Sequence, residues 1–422
     1  MRTPFAAYLA ATAIAFLLLA LFLRNASLLI VALFPTALLG LAAADPPPKP
    51  KLSVVRELGR ERAAVGQEVQ VRVTVRNEGP SLALSEVSDA LAPELELTGG
   101  MNRLVLALPR GAAVTLAYTV SAPMKGTFTI GPLHVRSLDA LGLAFESFHA
   151  GDAAMIAVAP PLEDLRALRI APRRTRPWFG QVPSRSPGLG SEFFGIREYV
   201  AGDETRRVNW KASARFDRLY TNEYEGERTS DAVIVLDARS GADVGPAAAS
   251  TTEYGVRAAL GIAAALLGAG NRVGLIVQRA MLDWVYPGYG KKQLHKILDA
   301  LIRVRPGGAW GLEHVAWILA RFFPRNVQII IVSPLVDPRA VGAVASLVAR
   351  GLDVAVVSPS PLDIEWRMYG RSEAFRDAYR VLKLERSNAI AALRRYAFVA
   401  DWDPEVQLAT VLRGVERFPV RR

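Results

Sequence analysis

Two long apolar runs open the chain, at residues 5–23 and 28–44, and only Arg24, Asn25, Ala26 and Ser27 separate them. Each approaches the roughly 20 residues that cross about 30 Å of hydrocarbon as a helix. The pattern therefore predicts a transmembrane helical hairpin over residues 1–45, with Pro35 placed to kink its second helix. The period then changes to two: Val69, Val71, Val73 and Val75 alternate with Gln70, Arg72, Thr74 and Arg76 until the turn Asn77-Glu78-Gly79-Pro80. The same alternation returns at Leu104-Leu106-Leu108, at Val114-Leu116-Tyr118-Val120 and at Phe128 and Ile130. Short half-buried strands between turn signals predict an all-β sandwich of immunoglobulin-like architecture over residues 52–160.

Beyond residue 230 the pattern changes again. Asp231-Ala232-Val233-Ile234-Val235-Leu236-Asp237 is a short apolar run ending in an acid, as a fully buried parallel strand would be. Helical periodicity follows near 252–268, 291–302, 312–322, 338–349 and 373–396, with strands near 272–278, 327–332 and 353–357. Residues 231–422 thus read as a doubly wound α/β domain, whose ligands sit at the carboxyl ends of its strands. The intervening residues 161–230 read as a linker rich in Pro, Gly, Ser and Arg, followed by a dense polar segment.

That segment runs from Gly195 to Glu225. Arg197, Glu198 and Tyr199 close a strand, and Asp203 stands where it could cap a short helix carrying Arg206, Arg207, Trp210, Lys211 and Arg215. Glu223 lies in the extended run beyond. Basic groups so close to carboxylates either pair with one another and fix how the linker docks, or offer a face to an acidic partner or an anion.

Composition narrows the classes. The 422 residues suffice for two or three domains, and 51% are hydrophobic, which suits a chain partly in lipid. With no cysteine there is no disulfide and no thiolate chemistry. The net charge of +11 fits anionic lipid or an acidic protein. Specific nucleic-acid binding is not expected, because only the stretch from Arg166 to Trp178 interleaves bases with an aromatic. That stretch lies in the linker and could touch the membrane surface.

Arg2 flanks one end of the hairpin and Lys49, Lys51, Arg56, Arg60 and Arg62 the other, against Arg24 alone at its tip. This bias predicts a two-pass cell-membrane protein whose large soluble part is cytoplasmic. Asp45-Pro46-Pro47-Pro48-Lys49-Pro50 is a stiff spacer. A cleaved signal peptide ending at Ala42-Ala43-Ala44 would need an apolar region far longer than usual.

G-x-R-E-Y at Gly195–Tyr199, G-D at Gly202–Asp203, R-x-x-x-W-x-x-S-A-R from Arg206 to Arg215 and N-E-Y-E thereafter resemble the signature of the family called domain of unknown function fifty-eight. Lys125–Pro132 and Asp139–Leu143 resemble the end of that family's sandwich. The resemblance implies a von Willebrand factor A-like domain, and a partner among AAA+ ATPases of the MoxR type in an envelope or protein-maturation complex. Such domains often hold magnesium in a metal-ion-dependent adhesion site built from D-x-S-x-S, a loop Thr and a further Asp. Here Asp237-Ala238-Arg239-Ser240-Gly241 keeps only the first acid, Pro306–Gly311 contains no Thr, and Ser333 precedes Pro334 rather than Asp. The adhesion site is therefore degenerate: no metal or other cofactor is expected, and Arg239 is expected to replace the ion by pairing with Asp237 or with a partner's acid.

No nucleophile elbow, phosphate loop or H-E-x-x-H is present, and His134, His149, His295 and His314 read as surface or packing residues. The sequence reads as a membrane-anchored, non-enzymatic scaffold or adaptor. The alternatives are an outward-facing envelope adhesin or receptor and a hydrolase working through Asp203 and Glu223.

Overall fold

A computed structural model describes residues 3–44, 46–139, 141–165, 176–177, 183–200, 203–229, 231–309, 311–323, 327–370 and 373–415. It divides into two compact units, Met1–Ala159 and Pro160–Arg422.

The first unit begins with α1 (Pro4–Leu23) and α2 (Ala26–Ala44), both free of charged residues. Thr3 caps α1 by accepting from the Ala6 amide, and Arg24 ends it in a left-handed conformation. The buried positions are small or compact: Ala6, Ala13 and Ala20 on α1, and Ala32, Pro35 and Ala42 on α2. Small residues let two helices approach closely while leucines and phenylalanines point outward; Phe22 is 85% exposed. Both helices are long and apolar enough to cross a membrane.

Ten strands follow: β1 (Leu52–Leu58), β2 (Arg62–Ala64), β3 (Val69–Asn77), β4 (Leu82–Leu91), β5 (Glu96–Gly100), β6 (Arg103–Leu108), β7 (Ala113–Ser121), β8 (Gly126–Leu138), β9 (Phe145–Ala150) and β10 (Ala154–Ala159). They form a four-stranded sheet, β1-β3-β7-β5, and a second sheet in the order β2-β10-β8-β4-β6, with β9 beside β8. The alternating valines of β3 and Leu116, Tyr118 and Val120 of β7 share one core with Phe128, Ile130, Leu133, Val135, Ile156 and Val158 of the other sheet. Inside this layer Arg56 donates to both carboxylate oxygens of Asp89, at 3.2 and 2.6 Å, and the Tyr118 hydroxyl donates to Asp89 at 2.6 Å. Burial, reinforced by Asp89, pushes the Tyr118 phenol far above its ordinary range.

In the second unit β11 (Arg176–Pro177), β12 (Pro183–Glu198) and β13 (Tyr220–Thr229) make a small antiparallel sheet in the order β11-β13-β12, and α3 (Trp210–Phe216) lies between β12 and β13 in the chain. Part of the expected linker is thus a strand: residues 183–198 pair with 220–227, so backbone bonding overrides a composition that reads as loop. Most of the basic stretch from Arg166 to Trp178 lies outside the described residues.

The main sheet has β14 (Asp231–Asp237), β15 (Arg272–Gln278), β16 (Leu282–Gly288), β17 (Gln328–Val332), β18 (Asp353–Pro359) and β19 (Phe398–Trp402), in the order β16-β15-β14-β17-β18-β19. Only β16, on the edge, runs antiparallel to its neighbour among these pairs. Helices α4 (Thr251–Gly268), α5 (Gly290–Ile302), α6 (Leu312–Phe322), α7 (Ala340–Ala349), α8 (Pro361–Tyr369), α9 (Glu373–Leu393) and α10 (Leu408–Val415) complete the unit.

Successive side chains of β14 feed two different cores. Ile234 and Leu236 pack with Val256 and Ala263 of α4, Ile297 of α5 and Leu408 of α10. Val233 and Val235 pack with Val315 and Leu319 of α6, Val344 of α7 and Leu393 of α9. Burial on both faces explains the unbroken apolar run. After β14 the chain moves outward to β15 and β16, then returns to place β17 on the other side, so the topological switch point lies between the ends of β14 and β17.

The sandwich yields one stability test. Asp89→Ala should strand a guanidinium whose side chain is 5% exposed and lower stability by about 3–5 kcal/mol, whereas Tyr118→Phe should cost about 1 kcal/mol. Urea midpoints of the full chain in detergent measure both, and equal small losses would show that Arg56 finds water instead.

Candidate functional site

The switch point holds a buried ion pair. Asp237 ends β14 and is 2% exposed, and Arg239, two residues on, is 7% exposed. Arg239 curls back so that Nε and Nη2 each donate at 2.8 Å to one oxygen of Asp237, a fork–carboxylate match. Ser333, just beyond β17, donates its hydroxyl to the same carboxylate at 2.8 Å. The third guanidinium nitrogen reaches Asp337 at 3.2 Å. Asp337 in turn receives Nε and Nη2 of Arg339, both at 3.1 Å, and Arg339 Nη1 reaches Glu313 of α6 at 3.1 Å. Charges of alternating sign therefore run from the buried end of β14 to an exposed rim. Hydrogen bonds from Arg339 hold the Asp337 carboxyl down at about 2, with Arg239 adding to the effect. Asp237 raises the Arg239 guanidinium above its ordinary range by hydrogen bonding, against the opposing effect of burial.

The surrounding loops fit this pair closely. Gly307 donates to the Ala238 carbonyl at 2.9 Å, and Gly308 accepts from the Ser240 amide at 3.2 Å. Gly308 has φ +75°, and a Cβ there would stand 2.2 Å from the Ala280 nitrogen, so only glycine lets the loop come this near. Leu335 is held at φ 58°, a left-handed conformation unusual for a leucine, with its amide donating to Ser333 Oγ at 3.2 Å. Arg386 of α9 spans the next strand ends, donating to the Pro334 carbonyl and to Ser358 Oγ, each at 2.8 Å, and to Asp401 at 2.7 Å.

The second cluster is the polar signature. Arg197 forks onto Asp203 with two bonds of 2.7 Å, and its Nε donates to Glu223 at 2.9 Å. Asp203 also accepts from the Val200 amide at 2.9 Å, and the Arg197 hydrogen bond holds its carboxyl below the usual range. The expected cap at Asp203 is therefore corrected. Residues 205–207 form one 3-10 turn, the chain bridges back to the sheet at Val208 and Thr221, and Asn209 caps α3 by accepting from the Ala212 amide. That bridge splits what the sequence suggests as one helix.

Glu204 pairs with Arg206 at 2.6 Å and Arg207 at 3.3 Å, and Glu198 with Arg218 at 3.1 Å. The Tyr199 hydroxyl donates to the Asp203 carbonyl at 3.3 Å. Trp210 is 67% exposed, and Arg215 lies 5.9 Å from the ring of Phe216. Ser240 is exposed, joined to the first cluster through its backbone amide. The structure thus brings Asp237, Arg239 and Ser333 together, and separately Arg197, Asp203 and Glu223. Sequence reasoning missed Glu313, Asp337, Arg339 and Arg386. The signal available was the acid–base pair Asp337 and Arg339 directly after the β17 loop.

Residues 195–385 match the model of the family described as "Protein of unknown function DUF58". Uncharacterized proteins of Mycobacterium tuberculosis and Mycobacterium bovis are each 30% identical over 187 residues, covering 42% of this chain and 58% of theirs. The chain thus matches little over half the length of these curated relatives. Among solved structures, the CARDB domain of a Pyrococcus furiosus protein aligns with 26% of this chain and 93% of its own, at 13% identity and a TM-score of 0.18. A segment of Escherichia coli alpha-2-macroglobulin aligns with 26% and 17%, at 22% identity and a TM-score of 0.21. Scores this low carry no argument about the fold.

A divalent ion of the kind the resemblance brings to mind does not fit these residues. A hard cation needs free carboxylate lone pairs and several hard oxygens, but each oxygen of Asp237 already accepts at least two bonds and the guanidinium fills the space before it.

Asp237→Ala should leave the buried Arg239 with Asp337 as its one remaining carboxylate, at a cost of about 3 kcal/mol, whereas the joint change Asp237→Leu with Arg239→Met should cost much less. Thermal unfolding of the two variants measures the contrast, and equal losses would overturn it. The Asp337 carboxyl is depressed in the fold, so its stabilising contribution is complete above its unfolded value near 3.8 and is lost as pH falls toward about 2. The gap in urea midpoint between the natural chain and Asp337→Asn should accordingly be constant from neutrality to about pH 4 and close below it.

Proposed function

We propose that the chain is a membrane-anchored, non-enzymatic scaffold that receives a protein partner at the carboxyl end of its main sheet. In this reading α1 and α2 cross the membrane with both ends cytoplasmic, and the β-sandwich is an immunoglobulin-like spacer. The α/β region is a von Willebrand A-like domain whose adhesion site works without metal. The observation that carries it is the buried Asp237–Arg239 fork at the switch point, where such folds bind their ligands. A protein cation fixed there replaces an exchangeable ion by a permanent charge. The row through Asp337, Arg339 and Glu313 brings its alternating pattern out to a surface that a partner can reach.

A catalytic use of Asp203 and Glu223 is disfavoured, because both accept from Arg197 and a carboxylate so held is a poor general acid or base. The partner proposed from the family resemblance is an AAA+ ATPase of the MoxR type.

Pull-down of the tagged full-length protein from native membranes tests the reading. The natural chain should recover the ATPase whether or not the extract is stripped of magnesium during capture, Arg339→Glu should lose it, and Arg207→Ala should retain it. Undiminished recovery by Arg339→Glu would sink the sheet-end interface, and loss confined to Arg207→Ala would move contact to the signature. Digestion of the soluble part by protease added to intact cells would favour an outward-facing receptor.

A further inference from the structure

The outer face of α3 and the turn after it have a composition that the main-sheet site does not use. Around the helix, Trp210, Ala214, Lys211 and Arg215 fall within one arc of roughly 140° at 100° per residue, and all four are exposed. Ser213 is the buried residue of α3; its hydroxyl donates to the Asn209 carbonyl at 2.8 Å and accepts from the Tyr220 amide at 2.9 Å. The arc is therefore turned away from the small sheet by fixed bonds. Phe216, 59% exposed, falls about 100° beyond Arg215 by the same spacing and lies with its ring 5.6 Å from that of Tyr220; Asp217 then takes a left-handed φ of 51°, bringing Arg218 and Leu219 into the turn, 72% exposed at the side chain and 48% exposed respectively. Among the described residues no ion pair engages Lys211 or Arg215.

Large apolar side chains left in water beside uncommitted cations are costly in a solvated face. Trp210 beside Lys211 and Arg215 suits the membrane–water boundary, where a Trp enters the acyl region while Lys and Arg meet phosphates. We infer that this face of α3 is a second membrane contact, one that takes the headgroup layer of anionic phospholipid. Charge complementarity selects the lipid. Lys211 and Arg215 have no ion-pair partner among the described residues and the nearby acids Glu204 and Glu198 are paired with Arg206 and Arg218, so that even with the exposed Asp217 in the turn the face keeps a net positive charge.

The inference rests on the membrane-anchored reading in one respect: an anchor holds the soluble part within reach of headgroups, so a weak interfacial affinity acts at high effective concentration. It differs from that reading in being reversible and lipid-selective. A surface contact of this kind weakens by about fivefold for each basic side chain removed.

The absence of cysteine makes the test direct. Full-length protein carrying Ala214→Cys, labelled with an environment-sensitive nitrobenzoxadiazole dye, is reconstituted into phosphatidylcholine vesicles with and without phosphatidylglycerol, beside a Met281→Cys control that is 76% exposed in the natural chain. Expected are a blue shift and quenching by spin-labelled lipid at position 214 only, only with phosphatidylglycerol, and lost in Lys211→Glu with Arg215→Glu. A label at 214 that stays solvent-like in anionic vesicles overturns the inference, as does an equal response at 281. Protection of 214 only after a soluble acidic protein fraction is added overturns it in favour of a protein partner. Flotation after carbonate washing reads the anchor separately. If the protein does not float, the response of the same label to added anionic vesicles still decides the α3 contact.

Discussion

Two opposite charges removed from water are tolerated only when every polar atom between them is matched, and the end of β14 is built around that demand. Desolvation of each ion costs several kcal/mol, so an incomplete arrangement would be worse than an apolar one. Arg239 fills one side of Asp237, Ser333 the other, and Asp337 takes the remaining guanidinium edge. The neighbouring loops give way accordingly: Gly308 approaches where a side chain could not, and Leu335 accepts a left-handed backbone to turn its amide onto Ser333. The two cores meeting at β14 supply the rigidity that keeps these atoms in place.

This arrangement separates geometry from net charge. The chain carries +11 overall, yet the row from Asp237 to Glu313 alternates in sign and is almost self-neutral. On the proposed reading, such a row would discriminate by the position of a partner's charges rather than by their number. In the membrane contact inferred for α3, Lys211 and Arg215 would do the reverse, since a fluid layer of phosphates has no fixed positions to read. The two proposed surfaces of the second unit would thus serve different kinds of contact, one specific and one adaptive.

Periodicity made most of the architecture legible. The apolar helices, the alternating strands of the sandwich and the buried run of β14 are local patterns that burial then uses directly. What escaped was decided by pairing across distance. The strand at 183–198 exists through its bonds to 220–227, although its own Pro and Gly content argues for a loop. Strand β19 and helices α8 and α10 are short, at five, nine and eight residues; β19 pairs at the sheet edge, and Leu408 and Leu412 of α10 pack into the core beside it. At the site, Asp237 and Arg239 could be read from their spacing, but Asp337 lies 98 residues from the guanidinium it meets. Asp203 misled because its capping geometry was judged along the chain, while Arg197 captures it from the adjacent strand.

Arg386 gives the far end of the sheet a mechanical character. One guanidinium closes three acceptors on successive strands, at Pro334, Ser358 and Asp401. Lifting α9 would strip all three at once, and a partial lift would leave polar atoms exposed to no partner. The helix is therefore pinned to the strand ends by polar bonds as well as by Ile390 and Leu393 in the core beneath it.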